Sequence, residues 1–348
     1  MADKNPSSEH IIAHTQEITC SKEDWFSIGL RKTLFRKNPT LVYSFSVNFS
    51  IASFHRLFKF GLMNAALQLQ SRKNEILPVF DRQVSRGTSI SDSEKIFGFA
   101  EICDLASREE EYFRTFRRCE SVRKVIEGIT IDQGFQYAER VIESPFWRDT
   151  LIGALKLVDS FGAPTRFIFP GIGRFSSTSL RYLKVYLDLQ EMFGPLTEMR
   201  ISEIGIGFGG QAALINALDR PTIYSCFDIP PVLSLAQRFL GELKLSTNCS
   251  WNDGRTPIYV ETDLLISNYA FSELERKLQE RYLEAIVLKA PKGYLTWNRL
   301  SQDQLGGFSV GELIRLIPNS EIVPEIPLTN NHNLIIVWGH KVLARETL

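Results

Sequence analysis

The spacing of apolar residues differs between the two parts of the chain. Before about residue 160, apolar positions recur at three- and four-residue steps with charges between them, most clearly at 97–105, 112–125 and 135–142. That spacing is typical of amphipathic helices. We therefore predict that residues 1–160 form a mainly helical region.

Turn-forming residues separate this region from the rest of the chain. Residues 163–179 contain prolines, glycines, serines and threonines, and they predict a loop. The spacing over 180–193 predicts a helix, which a serine or threonine can cap and which Gly194 and Pro195 end.

From residue 200 onward, short apolar runs alternate with helical patterns. The runs predict strands at 199–207, 222–227, 263–268 and 285–288, and the patterns predict helices at 211–218, 232–243, 271–282 and 310–317. This alternation is typical of a doubly wound parallel sheet. Two final strands, 320–324 and 334–338, have only a loop between them and predict an antiparallel edge. We assign residues 161–348 to this Rossmann-like α/β domain.

Composition excludes several classes of protein. Lys plus Arg and Asp plus Glu both number 40, so the formal net charge is zero, and we expect no nucleic-acid partner. The five cysteines stand far apart, which predicts reduced thiols in a cytoplasmic protein rather than disulfides or a zinc site. The first residues are polar and no run of about 18 apolar residues occurs, so neither a secretion signal nor a membrane span is predicted.

One segment departs from this balance of charge. Residues 31–73 hold eight Lys or Arg, seven aromatic residues and no acid. An amphipathic helix that packs its aromatic side chains on the rest of the protein has this composition, and so does a segment that contacts a membrane surface or an anionic ligand. Both interpretations stay open, and the second would place the protein at the periphery of a membrane.

A glycine-rich loop comes after the first predicted strand of the sheet and opens the next helix. Its sequence, EIGIGFGG over residues 203–210, allows a sharp backbone turn and a close approach to a ligand. Asp228 ends the next strand, about 20 residues further on, where an acid can accept hydrogen bonds from both hydroxyls of a ribose. Together they predict an adenosine-containing cofactor, although a structural turn without a ligand can have the same glycines.

The glycine spacing fits two classes of cofactor. Gly205, Gly207 and Gly210 satisfy the GxGxxG pattern of dinucleotide-binding proteins. Gly205, Gly207 and Gly209, with Glu203 before them, satisfy the acidic GxGxG pattern of S-adenosylmethionine (SAM) enzymes. Two features favour SAM. Too few residues come after the loop for two complete mononucleotide-binding halves, and a final antiparallel pair closes the sheet of class I methyltransferases.

Several segments together resemble the sugar O-methyltransferase family, whose members are class I SAM-dependent enzymes. The similar segments are the glycine loop, residues 227–233, 263–274 and 292–298, a helix at 179–184 and a closing segment at 325–339. The resemblance implies a seven-stranded sheet with an antiparallel last strand, SAM as cofactor and a sugar hydroxyl as acceptor. Such methylation belongs to polysaccharide, lipopolysaccharide or glycosylated natural-product synthesis, with the sugar linked to a nucleotide, a lipid or a finished glycan.

A SAM site would lie at the glycine loop and the strand tips. There the loop shapes the pocket, Asp228 holds the ribose and Gln211 helps to hold the methionine end. The cofactor-binding candidates are Glu203, Gly205, Gly207, Gly209, Gln211, Asp228 and Asn268.

Methyl transfer to a hydroxyl needs in-line alignment and benefits from a base that takes the proton. Glu273 comes after the predicted 263–268 strand and His332 lies between the last two strands, so both belong near the carboxyl edge of the sheet. Glu273 can instead favour the dipole of the next helix, and His332 can be a solvent-exposed loop residue. Both are candidate bases.

Four further residues are candidates for contact with the acceptor: Arg181 and Tyr182 on the helix before the glycine loop, and Tyr269 and Ser272 after the 263–268 strand. The Tyr269 ring can also face the sulfonium. Packing or a surface ion pair also explains Arg181 and Tyr182, and Tyr269 can instead be a half-buried aromatic residue. The strand-tip loops hold no close pair of acids, so we predict that no metal takes part.

Other functions fit parts of the pattern. An NAD(P)-dependent enzyme acting on a nucleotide sugar would use the same glycine loop, but Tyr182 and Tyr294 do not begin the YxxxK that it would need. A SAM methyltransferase with a small-molecule acceptor other than a sugar, and a scaffold without activity, are also compatible with the sequence. We expect the helical region, residues 1–160, to cover the site and to select the acceptor. The oligomeric state is open, and this region is a candidate surface for a homo-oligomer.

Overall fold

The computed structural model describes residues 98–245, 248–299, 305–330 and 333–340. The basic segment 31–73 and His332 lie outside these residues, so the predictions made for them stay predictions. The described residues all belong to one compact unit of the chain, Lys59–Leu348.

Five α-helices lie between residues 98 and 160, and they confirm the helical character predicted there. They are α1 (Phe99–Arg108), α2 (Glu110–Thr115), α3 (Glu120–Val125), α4 (Ile131–Glu143) and α5 (Leu151–Val158). The single helix predicted over 112–125 is interrupted, because Phe116–Arg118 forms a 3₁₀ turn and Cys119 is extended between α2 and α3. Thr130 begins α4 through a capping box with Gln133.

A β-hairpin stands where the sequence predicts a loop. Strands β1 (Phe167–Phe169) and β2 (Gly173–Phe175) pair antiparallel. Phe169 and Phe175 are buried, so apolar residues of this segment pack as they do in strands. The loop prediction is wrong at these residues because it relied on the turn-forming residues alone.

Helix α6 (Ser177–Phe193) links the hairpin to the main sheet. It begins earlier than the predicted 180–193 because the Ser176 side chain accepts a hydrogen bond from the Ser179 N–H and caps the helix. Gly194, with φ of 79°, ends it as predicted. Most residues of α6 are buried, and the helix packs against α4.

The main sheet has seven strands in the described part of the chain. They are β3 (Arg200–Ile204), β4 (Ile223–Asp228), β5 (Cys249–Asp253), β6 (Leu264–Asn268), β7 (Gly293–Trp297), β8 (Glu321–Pro324) and β9 (Leu334–Trp338). Their order is β5-β4-β3-β6-β7-β9-β8, and neighbours run parallel except β9, which is antiparallel to β7 and β8. A doubly wound sheet with this order and an antiparallel last strand is the class I methyltransferase fold, so the predicted fold class is confirmed.

The helices between these strands include α7 (Gly210–Leu218), α8 (Pro230–Glu242), α9 (Arg276–Tyr282) and α10 (Val310–Leu316). The strand predicted at 285–288 is wrong, because Leu283–Val287 is a π-helical turn that continues α9. The strand of the sheet in this part of the chain is β7, which begins at Gly293. A short apolar run does not distinguish a buried helix from a strand. The pattern also does not predict β5, because three of its five residues, Ser250, Asn252 and Asp253, are polar.

Two hydrophobic clusters of described residues cover the two faces of the sheet. Along β6, Leu264 and Ile266 belong to the cluster shared with α1 and α4–α8, and Leu265 belongs to the cluster shared with α9 and α10. The helices before residue 160 thus share a core with one face of the sheet, and the domain boundary at 160 stays a prediction. None of the described helices is long and apolar enough to cross a membrane.

Candidate functional site

The carboxyl ends of β3, β4 and β6 meet at one edge of the sheet, where a cleft opens. Glu203, Gly205 and Gly207 border it from the end of β3 and the adjoining loop, Asp228 from β4 and Asn268 from β6. The empty space measures about 1030 Å³, part of it open to solvent. The strand order reverses beside β3, and doubly wound sheets bind ligands at such a point.

The loop after β3 runs so close to its neighbours that glycine is required. Gly205 has φ of 80°, and a Cβ atom there would lie 2.1 Å from the Cβ of Ala270. The N–H groups of Gly205 and Ile206 donate to the Phe227 carbonyl oxygen at 2.8 and 3.3 Å. The loop therefore shapes the wall of the cleft, while its first N–H groups are engaged by the protein itself.

Asp228 borders the cleft at the end of β4, where the sequence places it. Its Oδ2 accepts a hydrogen bond from the Gly207 N–H at 3.0 Å, and its Oδ1 accepts one from the Ile229 N–H at 2.8 Å. These bonds hold the carboxylate against the glycine loop. A carboxylate has about four acceptor positions, so it can accept bonds from ligand hydroxyls in addition to these two.

Two of the predicted cofactor residues lie away from the cleft. Gly209, with φ of 90°, is the residue before α7 and lies next to Leu240 of α8. Gln211 is buried, and its Nε2 donates to the Tyr182 carbonyl oxygen at 3.2 Å. Both residues fix the start of α7 against other helices. A contact of either residue with a cofactor stays a prediction.

Glu203 is a buried acid at the end of β3, only 2% exposed. The Tyr224 hydroxyl donates a hydrogen bond to its Oε2 at 2.7 Å. Burial raises the pKa of Glu203 to about 8; the hydrogen bond from Tyr224 acts in the opposite direction, and the nearby Asp228 adds to the rise. At neutral pH the carboxyl group is therefore mostly protonated, and it can donate as well as accept a hydrogen bond.

Buried polar side-chain atoms lie at the end of the cleft where α6 and β6 border it. Nε of Arg181 is buried and forms no hydrogen bond with a described residue. The amide of Asn268 is also buried and lies beside the Glu203 carboxyl, whose pKa it lowers. The Arg181 guanidinium lies 5.5 Å from the ring centroids of both Tyr182 and Tyr269. Tyr182 also borders the cleft and packs edge-on against Phe208. Buried polar groups normally have partners, so these atoms mark a position that suits a polar ligand group.

Tyr269 borders both this cleft and a smaller cavity behind it, which we call the inner pocket. Its φ is 70°, which is uncommon for a residue with a side chain. Its hydroxyl contacts the Glu325 carboxylate and the Thr329 hydroxyl. Strained backbone of this kind is concentrated at functional sites. The inner pocket has about 220 Å³ of empty space, part of it open to solvent, and it shares Arg181, Asn268 and Tyr269 with the cleft. It is lined further by Tyr137, Lys184, Tyr294 and Glu325.

Glu325 is a site residue that the sequence pattern does not single out. It comes directly after β8, and because β9 is antiparallel to both of its neighbours, β8 runs parallel to β7. Its carboxyl end therefore lies at the same edge as the ends of β3 and β6. The predicted pair of final strands could have indicated Glu325, because this residue comes directly after the first strand of the pair. Tyr137 of α4 was also missed, and it reaches the inner pocket through helix packing, which no local pattern shows.

Ser272 and Glu273 lie in the 3₁₀ turn Ala270–Glu273 after β6 and have different surroundings. Ser272 is buried; its hydroxyl donates to the Tyr269 carbonyl oxygen at 2.6 Å and accepts from the Asn298 N–H at 2.9 Å. Ser272 thus holds the turn, and its contact with an acceptor stays a prediction. Glu273 borders the cleft, where its Oε1 accepts a hydrogen bond from Asn298 Nδ2 at 3.1 Å. Of the two candidate bases, Glu273 therefore lies at the cleft, and His332 is outside the described residues.

No protein-family model and no curated protein matches the chain. Solved structures match part of it. They include the mitomycin 7-O-methyltransferase MmcR (16% identity, 46% of this chain and 56% of that chain, TM-score 0.34), the CurJ carbon methyltransferase (16%, 46% and 52%, TM-score 0.31) and the methyltransferase domain of bacterial CtHen1-CN (11%, 45% and 96%, TM-score 0.36). The match spans just over half the length of the first two enzymes. The fold assignment rests on the strand order of this chain.

Proposed function

We propose that the protein is a SAM-dependent methyltransferase that transfers the methyl group to a hydroxyl oxygen. One juxtaposition carries the proposal. The glycine loop after β3 and Asp228 at the end of β4 border a single cleft, at the reversal point of a class I methyltransferase sheet. A tight glycine turn and an acid at these two strand ends suit an adenosine ligand.

The residues that border the cleft fit SAM. Asp228 would accept hydrogen bonds from the ribose hydroxyls, and the glycine loop leaves room for the ligand beside the end of β3. The amide of Asn268 and the unpartnered Nε of Arg181 suit polar ligand groups. When bound, SAM supplies a methyl group on a positively charged sulfur that a nucleophilic oxygen can attack.

Helices α1 and α3 contribute apolar side chains to the same cleft. Phe99 of α1, Val125 of α3 and the adjacent Ile126 all border it. Apolar walls exclude water, and a drier site strengthens the electrostatic interactions within it. The helical region is therefore proposed to cover the site, as the sequence predicts for residues 1–160.

Glu273 is the residue that we assign to proton removal. Its carboxylate borders the cleft, and the bond from Asn298 Nδ2 orients one oxygen, which supports a role in accepting the proton of an attacking hydroxyl. His332 stays the second candidate. The described residues hold no group of three or more metal-ligating side chains, and independence from metal ions stays a prediction.

A sugar hydroxyl is the acceptor that we propose. The resemblance to the sugar O-methyltransferase family motivates it, and the hydroxyl and carboxyl groups of Tyr137, Tyr294, Thr296 and Glu325 lie next to the cleft, around the inner pocket. Such groups suit a ligand with several hydroxyls. Contact of residues 31–73 with a membrane surface and assembly into a homo-oligomer stay predictions.

Calorimetric titration with SAM, S-adenosylhomocysteine (SAH), NAD and NADP tests the proposed cofactor. The wild-type protein is expected to bind SAM and SAH saturably and neither nicotinamide nucleotide. Asp228→Asn is expected to weaken SAH binding about tenfold or more, because the ribose loses a charged acceptor. Asp263→Asn is the matched control, since Asp263 pairs with Arg200 at the opposite edge of the sheet. Binding of NAD or NADP, or of none of the four ligands, would contradict the proposal.

A further inference from the structure

Two charged side chains of the inner pocket have protein partners. Lys184 Nζ lies 2.5 Å from Asp188 Oδ2, which also accepts a hydrogen bond from the Tyr294 hydroxyl at 2.8 Å. Glu325 accepts a hydrogen bond from the Thr329 N–H at 3.1 Å and also contacts the Tyr269 hydroxyl. Both charges are therefore stabilised by the protein itself.

Arg181, at the junction of the inner pocket and the cleft, differs from these two. It forms no ion pair with an acid that the structure describes, and its Nε is buried without a hydrogen-bond acceptor. Its guanidinium lies over the rings of Tyr182 and Tyr269. The Arg181 side chain is half-buried. A guanidinium stays charged at any physiological pH, and a partly desolvated cation without an anionic partner is costly. The position is therefore suited to an anion that arrives with a ligand.

We propose that Arg181 is the receptor for a carboxylate of a bound ligand. The planar fork of guanidinium donors matches the two oxygens of a carboxylate. Asn268, which also borders both cavities, adds a further amide donor. A phosphate suits the position less well. Lys184, the other cation that lines the inner pocket, already pairs with Asp188, and Glu325 would repel a second negative charge.

Two ligands of the reaction can present a carboxylate at this junction. SAM has one at its amino-acid end, and the acceptor has one if it is an acidic sugar. The inference rests on the proposed function, because both ligands belong to that reaction. The shared chemistry is the carboxylate, and binding experiments distinguish its two sources.

The first experiment uses two ligands that differ only in the carboxylate. SAH and its decarboxylated analogue, which keeps the amine and the adenosine, are titrated into the wild type and into Arg181→Gln. If the carboxylate belongs to the cofactor, Arg181→Gln weakens SAH binding about tenfold or more and leaves the analogue unchanged. Arg181→Lys keeps the charge without the fork and is expected to recover part of the affinity for SAH.

The second experiment applies if the wild type binds SAH and the analogue equally. With SAH saturating, the protein is titrated with D-glucuronate and with D-glucose as probes. A preference for glucuronate that Arg181→Gln abolishes assigns the carboxylate to the acceptor. If neither ligand pair shows a preference that depends on Arg181, the proposal is overturned.

Control variants separate this role from structural ones. Arg174→Gln removes an exposed arginine of β2, and it is expected to change none of these affinities. If Arg181→Gln loses the decarboxylated analogue as well as SAH, Arg181 supports the fold of the site and the proposal is overturned. If the wild type binds neither adenosine ligand, the proposed function itself fails, which is a different result from an effect confined to Arg181.

Discussion

The guanidinium of Arg117 lies over the ring of Phe208, 4.6 Å from its centroid. Phe208 belongs to the glycine loop, and Arg117 belongs to the 3₁₀ turn after α2, so this contact joins the helical region to the wall of the cleft. The same guanidinium pairs with Glu127 at 2.5 Å and with Asp159 at 3.2 Å, and it is fully buried. The ion-pair network thus supports the glycine loop through Phe208.

Replacing Arg117 with Met is expected to destabilise the fold by about 3–5 kcal/mol, because Glu127 loses its cationic partner and the buried Asp159 keeps, among the described cations, only Arg166, at 3.7 Å. Urea unfolding followed by circular dichroism measures the change. Arg114→Met is the matched control, since Arg114 pairs with Glu110 in an exposed position and exposed pairs contribute little. If the two variants lose equally little stability, the buried network does not stabilise the protein.

Gly205 and Gly194 provide a test of the close packing beside the cleft. Both have φ near 80°, so an alanine at either position causes backbone strain of about 1–3 kcal/mol. Only at Gly205 does the new Cβ also meet a neighbour, Ala270, whereas nothing lies within 4 Å at Gly194. Gly205→Ala is therefore expected to lose more stability than Gly194→Ala, and to weaken SAH binding because Ala270 borders the cleft.

A second substitution isolates the collision from the strain. Ala270→Gly in the Gly205→Ala background removes the contacting methyl group, so part of the lost stability and SAH affinity should return. Thermal unfolding and calorimetry provide both readouts. If Gly205→Ala behaves like Gly194→Ala, backbone conformation alone explains the requirement for glycine.

The fold was predictable from sequence where one strand or helix has a strong pattern of its own. Strands β3, β4 and β6 and the final pair could be predicted because they are apolar runs between turns. Strand β5 is half-exposed and polar, and it belongs to the sheet through its pairing with β4. The π-helical turn at Leu283–Val287 has the apolar residues of a strand, and only its packing beneath the sheet distinguishes the two.

The site was predictable to the extent that its residues are close in sequence. The glycine loop and Asp228 come after successive strands of one βαβ unit, so their meeting at one edge is a consequence of topology. Arg181 could be selected as a residue type on a helix, but its lack of an anionic partner depends on the packing of α6. Glu325 and Tyr137 reach the inner pocket from strands and helices distant in sequence.

The raised pKa of Glu203 makes the stability of the fold depend on pH. The folded protein keeps this proton up to about pH 8, whereas the unfolded chain releases it near the ordinary glutamate pKa of about 4.3. Between these values the folded state binds more protons, so the free energy of unfolding falls as the pH rises through the window. Above about pH 8, Glu203 is ionised in both the folded and the unfolded state, and its pH-dependent contribution to the free energy of unfolding is fully lost.

Glu203→Gln removes this contribution and keeps an oxygen that can accept the Tyr224 hydrogen bond. Relative to the wild type, the variant is expected to gain stability steadily as the pH rises from about 5 to 8. Urea unfolding at several pH values measures the difference, and subtraction of the two profiles cancels the other titrating groups. Parallel profiles would show that Glu203 ionises at its ordinary pKa despite its burial.

Glu273→Gln tests the assignment of the base. The amide keeps an oxygen for the bond from Asn298, so the turn after β6 should be preserved and SAH affinity should stay within about twofold. A carboxamide does not accept the hydroxyl proton, so turnover should fall about a hundredfold or more. The assay measures methyl transfer to whichever compound a screen of sugars and sugar nucleotides identifies as acceptor. His332→Ala is measured in the same assay. If His332→Ala loses turnover and Glu273→Gln stays active, His332 and not Glu273 is the base.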